Sequence, residues 1–281
     1  MRIFPPLFLA IVVAWVLLKI SVFYGTDLPG VHAVGASGWI ASLFLLDGWF
    51  VGAERALNVT WTLVIEISFY LLVALFIKKA KTKPLQSQWQ MTLVWSAASL
   101  SALNLPVISS MGNAGLIKYI AFLLIGRVIY LRNQRVITTF DFLLNSVFLA
   151  YIFWAVTQVS TPDYLLTPGF EPIVNYLLAI GIFLGALRIA PHHISLPFRF
   201  FGDISYSLYL LHLPVGMFAL NWLNAMSFPN SLSSLIAIAL CIPVAYLSYK
   251  YVELPCLKLG RRIIASKHRL PKLRISFNTT Y

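Results

Sequence analysis

The sequence is a succession of long apolar segments separated by short polar ones, and this alternation restricts the fold more than any other feature. Hydrophobic residues make up 59% of the 281 residues, and charged residues make up 11%, against about 25% in a typical soluble domain. A disordered chain, a coiled coil and an ordinary cytosolic enzyme are therefore excluded. We predict an all-α polytopic integral membrane protein with about eight transmembrane helices, because eight segments approach the ~20 residues that a helix needs to cross a bilayer. They lie near residues 5–24, 61–77, 89–105, 115–131, 140–158, 173–187, 204–220 and 232–249.

A further apolar stretch over residues 39–51 is too short to cross a membrane alone, and Asp47 interrupts it. Irregular backbone at membrane depth is tolerated where protein or water covers it. We therefore predict a short re-entrant or interfacial segment there, or one half of a broken helix.

The basic residues predict the orientation of the chain. If the N-terminus is cytoplasmic, 17 of the 21 Lys and Arg residues fall on the cytoplasmic side and 2 fall in outer segments, as the positive-inside rule requires. They cluster between apolar segments and do not form the stripe of a nucleic-acid groove, so the expected partner is a lipid bilayer and no nucleic acid. We predict a membrane domain over residues 1–260 and a basic cytoplasmic tail over residues 261–281, with both termini cytoplasmic.

Motifs of soluble enzymes are missing from the sequence, including the phosphate-binding GxxxxGK[ST] and GxGxxG patterns and the catalytic HExxH and GxSxG patterns. Cys241 and Cys256 have no metal-ligand spacing, so no metal is predicted. Chemistry must then come from polar side chains that a bilayer penalises.

Glu66 is the first such residue, within the sequence WTLVIEISFY. A charge at membrane depth costs about 2.5–3.5 kcal/mol on insertion scales, and intramembrane acids are therefore functional candidates by default. Tyr70 follows by four residues and shares the helical face of Glu66, which makes it a candidate partner. The alternative is a structural carboxylate bonded to another helix.

A second polar group of residues occupies GDISYSLYLLHLP over residues 202–214. Ser205 and His212 are seven residues apart and share one helix face, about 10.5 Å apart, with Tyr209 between them. That distance excludes a direct Ser–His nucleophile pair on a straight helix, but it suits side chains that line a polar channel. The alternative for His212 is a buried neutral imidazole bonded to a neighbouring helix.

Two more charged residues belong to this search. Glu253, in YKYVELP, lies at the predicted inner end of the last span, where the alternative is an interfacial ion pair to Lys250 or to an arginine. Arg127 lies within the fourth span, and snorkelling to the inner face is favoured there over binding of an anion.

Together these segments resemble the acyltransferase 3 family of integral-membrane O-acyltransferases. The first family pattern, Trp-Ser-Leu-x-x-Glu-x-x-Phe-Tyr, is matched with Thr62 in place of Ser by Trp61, Leu63, Glu66, Phe69 and Tyr70. The second, Ser-Tyr-Ser-Leu-Tyr-Leu-x-His-x-Pro, is matched by residues 205–214. The third, Glu-x-Pro followed by Gly-Arg-Arg, is matched by Glu253, Pro255 and residues 260–262.

The resemblance also implies a domain that is incomplete at its N-terminus. Family members carry two spans ahead of an Arg-x-x-Arg-Ile-Tyr-Pro junction, and a His on the first of them looks like the catalytic base. The opening MRIFPP resembles the end of that junction, with Arg2 matching its second Arg. We therefore expect that the first two family spans are lacking from this chain.

The reaction that this resemblance implies is transfer of an acetyl or other acyl group from acetyl-CoA, or another acyl-CoA, to a hydroxyl of a surface or exported glycan. The acceptor would be a glycan or lipid-linked sugar, such as O-antigen or exopolysaccharide, at a bacterial inner membrane. The alternatives are an inactive truncated remnant, or a transporter or flippase for a glycan precursor.

The resemblance also implies roles for individual residues. Glu66 would orient a catalytic group or the acceptor hydroxyl, and Glu253 would hold an inner gate. The phosphates of the acyl-CoA donor would bind to Arg2, Arg261 and Arg262. The acyl or acceptor path would be lined by Ser205, Tyr206, Tyr209 and His212.

Overall fold

A computed structural model of the protein describes residues 3–48, 55–104, 117–160, 171–189 and 196–267. Within these ranges the chain is helical and the only strand-like pairing is a single antiparallel bridge between Val31 and Leu57, so the all-α prediction is confirmed. The helices are α1 (Phe4–Phe23), α2 (Ala36–Leu43), α3 (Trp61–Leu75), α4 (Ile77–Thr82), α5 (Pro84–Asn104), α6 (Ile120–Asn133), α7 (Thr139–Ser160), α8 (Glu171–Ile189), α9 (Leu196–Ala225), α10 (Asn230–Ser248) and α11 (Leu254–Lys267).

Each of the eight predicted spans overlaps one of these helices: α1, α3 and α5 to α10. In the described part of the chain, 4 helical stretches are long and apolar enough to cross a membrane: Phe4–Phe23, Asn58–Leu75, Thr139–Gln158 and Asn230–Ala265. The protein is therefore a helical integral membrane protein, and the count of eight spans stays a prediction.

Helix α1 shows how these helices suit a bilayer. Pro5 and Pro6 begin it, at positions where the missing N–H has no intrahelical partner to lose. One face buries Leu7 and Ala14 completely, while the opposite face exposes Phe8 and other large apolar side chains. A helix that is apolar on its exposed face as well as its packed face fits a lipid surface rather than water.

The chain folds as two compact units. The first comprises Met1–Leu28 and Gly202–Tyr281, and thus holds α1, most of α9, α10 and α11. The second comprises Pro29–Phe201 and holds α2 to α8. We refer to them below as the terminal unit and the central unit.

The core of the central unit is built from α3, α5, α6 and α7. Met91, Trp95, Leu124 and Leu149 are almost completely buried there. The indole Nε1 of Trp95 donates a hydrogen bond to the carbonyl oxygen of Ile117 at 2.8 Å, which satisfies its polar atom. In a bilayer such packing stabilises the fold by close van der Waals contact rather than by removal from water.

The predicted interruption at Asp47 is present. Helix α2 ends at Leu43, and a 3₁₀ turn follows at Leu46–Gly48. Asp47 is buried and accepts a hydrogen bond from Ser42 Oγ at 2.7 Å. Burial lowers the pKa of Arg55, and the Asp47 carboxylate partly offsets that shift. Residues 49–51 of the predicted segment lie outside the described residues, and its place in the membrane stays a prediction.

Candidate active site

The third family motif lies where α10 meets α11. Residues Tyr249–Glu253 form a π-helical turn between the two helices. Such a turn inserts one extra residue into the helical repeat, and π-turns are frequent at functional sites. The insertion changes which side chains face the interior, and Glu253 at its end is completely buried.

Two serines form a chain of hydrogen bonds to that buried carboxylate. Ser207 Oγ on α9 donates to Glu253 Oε2 at 2.9 Å, and Ser248 Oγ on α10 donates to Ser207 Oγ at 3.1 Å. All three residues are buried. A hydroxyl that donates to a carboxylate makes a charge-assisted hydrogen bond, which is stronger than a bond between neutral groups. This chain also joins the second and third family motifs inside the terminal unit.

The Glu253 carboxylate is buried rather than exposed at an interface, and it has further interactions besides the hydrogen bond from Ser207. Lys250 places its Nζ over the rings of Tyr246 and Tyr251, at 5.7 and 5.5 Å from the ring centroids. These are cation–π contacts. The turn thus separates an interior carboxylate from a lysine packed on aromatic rings.

Helix α9 carries the second motif on two different faces. Ser207 lies on the buried face with Ile204, Leu210 and Pro214. Tyr206 is partly buried, and its hydroxyl donates to the carbonyl oxygen of Ile3 at 2.9 Å, just before α1. This bond fixes α9 to the start of α1. The donor-phosphate candidate Arg2 lies outside the described residues.

The other candidates of this motif are on the accessible side of α9. Ser205 is exposed and donates to the carbonyl oxygen of Gly202 at 2.9 Å, within its own helix. His212 is also exposed, with Nδ1 at 2.6 Å from the carbonyl oxygen of Tyr209. A carbonyl only accepts, so Nδ1 carries a proton and the Nε2 of a neutral ring is a hydrogen-bond acceptor. The alternative of a buried imidazole bonded to a neighbouring helix is therefore wrong.

Glu66 belongs to the central unit and lies, partly buried, on α3. Its Oε1 accepts a hydrogen bond from the Tyr70 hydroxyl, as the four-residue spacing predicts. Among the described residues this bond lies within α3, so the alternative of a carboxylate bonded to another helix is wrong. Tyr70 is 51% exposed, whereas Glu66 is partly buried.

Arg261 and Arg262 lie on α11, and both side chains are exposed. Adjacent guanidinium groups can bind the oxygens of a phosphate ester through parallel N–H donors. The predicted boundary between membrane domain and tail, at residue 260, lies inside this helix. Residues 268–281 of the tail lie outside the described residues.

The part of the chain that the structure describes contains no group of three or more His, Cys, Asp or Glu side chains that could hold a metal ion. The candidate residues carry hydroxyl, carboxylate, imidazole and guanidinium groups. These are groups for proton transfer, orientation and anion binding.

The helices and the buried Ser–Ser–Glu chain define a helical integral membrane protein with a polar site at the π-turn. A family model described as an acyltransferase domain matches residues 1–250. The chain therefore belongs to the acyltransferase 3 family, as its three motifs predict. No curated protein and no solved structure matches the chain.

Ser207 and Ser248 are the two site residues that sequence reasoning missed. A usable signal existed for each. Ser207 lies three residues from both Ile204 and Leu210, which places it on the apolar face of α9 rather than on the face of Ser205. Ser248 continues the small side chains that α10 buries at Ala237, Cys241 and Ala245.

Proposed function

We propose that this protein is a membrane-bound O-acyltransferase that transfers an acetyl or other acyl group from acyl-CoA to a hydroxyl of a surface or exported glycan. The observation that carries the proposal is the buried hydrogen-bond chain from Ser248 through Ser207 to Glu253, in a chain that belongs to the acyltransferase 3 family. A buried carboxylate among apolar helices is costly, so its retention favours a role in chemistry.

An alcohol is a weak nucleophile and needs a base or an acceptor for its proton. In our proposal the acceptor sugar lies along the accessible side of α9, where His212 lines the path and its Nε2 accepts a hydrogen bond from the sugar, while the principal base belongs to the family span that the resemblance places ahead of this motif. Ser205, Tyr206 and Tyr209 line the same path. Glu66, which accepts a hydrogen bond from Tyr70, is proposed to orient a catalytic group or an acceptor hydroxyl.

The acyl donor carries several phosphates and requires cations. We assign this contact to Arg261 and Arg262 on α11, with Arg2 as a third candidate. Glu253 lies at the turn that leads from α10 to this basic helix. In the proposal the hydrogen bond that Glu253 accepts from Ser207 holds the gate through which the thioester reaches the path.

We further propose that the chain crosses a bacterial inner membrane eight times, with both termini in the cytoplasm. The support is the distribution of Lys and Arg between the two sets of connecting segments. Single cysteines at Thr26 and at Lys81, with both native cysteines replaced, would test it in intact cells. A maleimide that does not cross membranes should label the cysteine at position 26 and spare the one at position 81.

The enzymatic proposal is tested with membrane vesicles that contain the full chain, radiolabelled acetyl-CoA and a glycan acceptor. We expect an alkali-labile ester on the glycan, and a loss of transfer of at least tenfold in His212→Gln and in Glu66→Gln. Substitution of both Arg261 and Arg262 by Gln should raise KM for acetyl-CoA more than it lowers kcat. Ser234→Ala is the control, because this exposed serine bonds only within α10.

The alternatives give different results in the same assay. A transporter would move unmodified glycan across the vesicle membrane without forming an ester. A second arm uses the chain extended by any in-frame upstream coding sequence, since the family resemblance places the principal base on such a segment. If neither form, shown to be folded, transferred acetyl, succinyl or longer acyl groups, the enzymatic proposal would be wrong.

A further inference from the structure

Arg127 is a charged residue inside the central unit that the proposed reaction does not use. It lies on α6, within the fourth predicted span, and is partly buried. Its Nη1 donates to Oε1 of Gln88 on α5 at 2.6 Å. The guanidinium is therefore bonded to a neighbouring helix, four residues from the beginning of α5, and the snorkelling predicted from the sequence stays a prediction.

The geometry of Gln88 explains this contact. Gln88 and Thr92 are both completely buried, and Gln88 Nε2 donates to Thr92 Oγ1 at 3.2 Å. Since an arginine only donates, the amide oxygen of Gln88 must face Arg127 and the amide nitrogen must face Thr92. Thr92 thereby fixes the orientation of the amide, and the amide fixes the guanidinium.

Gln88 is neutral, so this contact leaves the charge of Arg127 uncompensated. Among the described residues no carboxylate pairs with Arg127, and its hydrogen bonds use one of the five N–H donors of a guanidinium. One residue from Gln88, Ser87 is completely buried, and its hydroxyl has no hydrogen-bond partner in the described part of the chain. Helices α5 and α6 thus each carry a hydrogen-bond donor, Ser87 and Arg127, for which the described residues supply no anionic acceptor.

The position of Arg127 along the helix suggests the missing acceptor. It precedes Arg132, in the last turn of α6, by five residues, or about 7.5 Å. Arg127 is thus within two helical turns of the predicted inner end of α6, and basic pockets between helices on the cytoplasmic side of a membrane bind lipid head groups. Guanidinium groups bind phosphate oxygens through two parallel N–H donors.

We propose that Arg127, positioned by Gln88 and Thr92, binds a phosphate ester group between α5 and α6. The group belongs either to an anionic lipid or to the coenzyme A part of the donor. The lipid source is independent of the proposed function, whereas the coenzyme source rests on it.

The test uses the purified full chain in detergent with two probes. Phosphatidylglycerol retention is measured by native mass spectrometry, and binding of coenzyme A is measured by calorimetry. The informative variant is Gln88→Glu, which keeps the shape of the side chain but places a carboxylate on Arg127. We expect Gln88→Glu and Arg127→Gln to weaken binding of one probe by at least tenfold. Arg132→Gln is the matched control, because its guanidinium bonds Thr139 on the surface and its loss should change binding less than threefold.

The substitution of Gln88 separates an anion site from a structural contact. A purely structural Arg127 would keep or strengthen its hold on α5 in Gln88→Glu, so the melting temperature would be unchanged or higher and binding of both probes would match the wild type. That result overturns the proposal, as does a wild-type chain that binds neither probe. Because binding is measured directly, failure of the acyl-transfer assay does not affect the outcome.

Discussion

Replacing Ser207 by Ala removes the hydroxyl that donates to the buried Glu253 carboxylate. The substitution deletes one oxygen from a completely buried site and leaves the backbone of α9 unchanged. It removes the 2.9 Å hydrogen bond that Ser207 donates to Glu253. It also removes the oxygen that accepts the 3.1 Å hydrogen bond from Ser248. Glu253 keeps its other interactions, so the effect measures this hydrogen-bond chain and not the whole environment of the carboxylate.

The magnitude follows from the two bonds that are lost. A hydrogen bond to a charged group contributes about 1.5–3 kcal/mol, and a neutral one contributes about 1 kcal/mol. Ser207→Ala should therefore lower the free energy of unfolding by ~2–4 kcal/mol. Ser248→Ala loses only the neutral bond, and should lower it by ~1 kcal/mol.

The measurement is unfolding of the purified protein in mixed micelles by increasing SDS, followed by circular dichroism. Ser234→Ala serves as the control, because that serine lies exposed on α10 and bonds only to the Asn230 carbonyl oxygen. We expect it to change the free energy of unfolding by less than about 0.5 kcal/mol. A double-mutant cycle between Ser207→Ala and Glu253→Gln then isolates the coupling of the pair.

The order of effects is the critical result. If Ser207→Ala destabilises no more than Ser234→Ala, the buried bond contributes nothing and the assignment of Glu253 to an interior network is wrong. A coupling energy near zero in the cycle would lead to the same conclusion. Large destabilisation by Ser207→Ala and a small effect of Ser248→Ala would support the chain in the direction described.

Three further predictions rest on single contacts. Leu124→Ala empties a completely buried position in the central core and should cost ~2–5 kcal/mol of stability in the same SDS titration. Gly216→Val should cost ~1–3 kcal/mol, because an added Cβ would lie 3.3 Å from Cys241 Sγ, and Gly216→Ala should cost less. Tyr70→Phe removes the hydroxyl that donates to Glu66 and should reduce acyl transfer severalfold while the SDS midpoint stays within error, because Tyr70 is exposed. An unchanged rate in Tyr70→Phe would show that Glu66 does not depend on this donor.

The helical architecture could be predicted because a bilayer imposes it. Backbone groups in lipid must bond within their own segment, so each long apolar run has to be a helix. Each predicted span therefore overlaps a helix, and the largest difference is in α9, which begins eight residues before the predicted span and ends five residues after it. The Glu66–Tyr70 contact was predictable for the same reason, because four residues on a helix fix a neighbour whatever the rest of the chain does.

Contacts between helices were less accessible to sequence reasoning. Helix α9 exposes His212 and buries Ser207. The residue types alone favoured the opposite arrangement, with the histidine as the buried polar group. The period of the apolar residues gives the correct face, since Ile204 and Leu210 flank Ser207 at helical spacing. The acceptor of the Ser207 hydrogen bond is placed by the π-turn that follows α10. Helix periodicity in a sequence does not reveal a π-turn.

The π-turn is also the reason that Glu253 seemed to be an interfacial residue. If the 3.6-residue repeat of α10 is continued, Glu253 lies about 140° around the helix from Ser248, away from the buried side chains that precede it. A turn with one extra residue reduces that angle and brings the carboxylate toward the hydroxyls of Ser207 and Ser248. A substitution that restored the regular repeat would rotate Glu253 away from these donors without changing any residue of the motif. The function proposed for this motif therefore depends on helical geometry between its residues as much as on their identity. Deletion of Val252 would remove the extra residue and place Glu253 four positions after Ser248, about 40° around a regular helix, so it should disable the site less than Glu253→Gln.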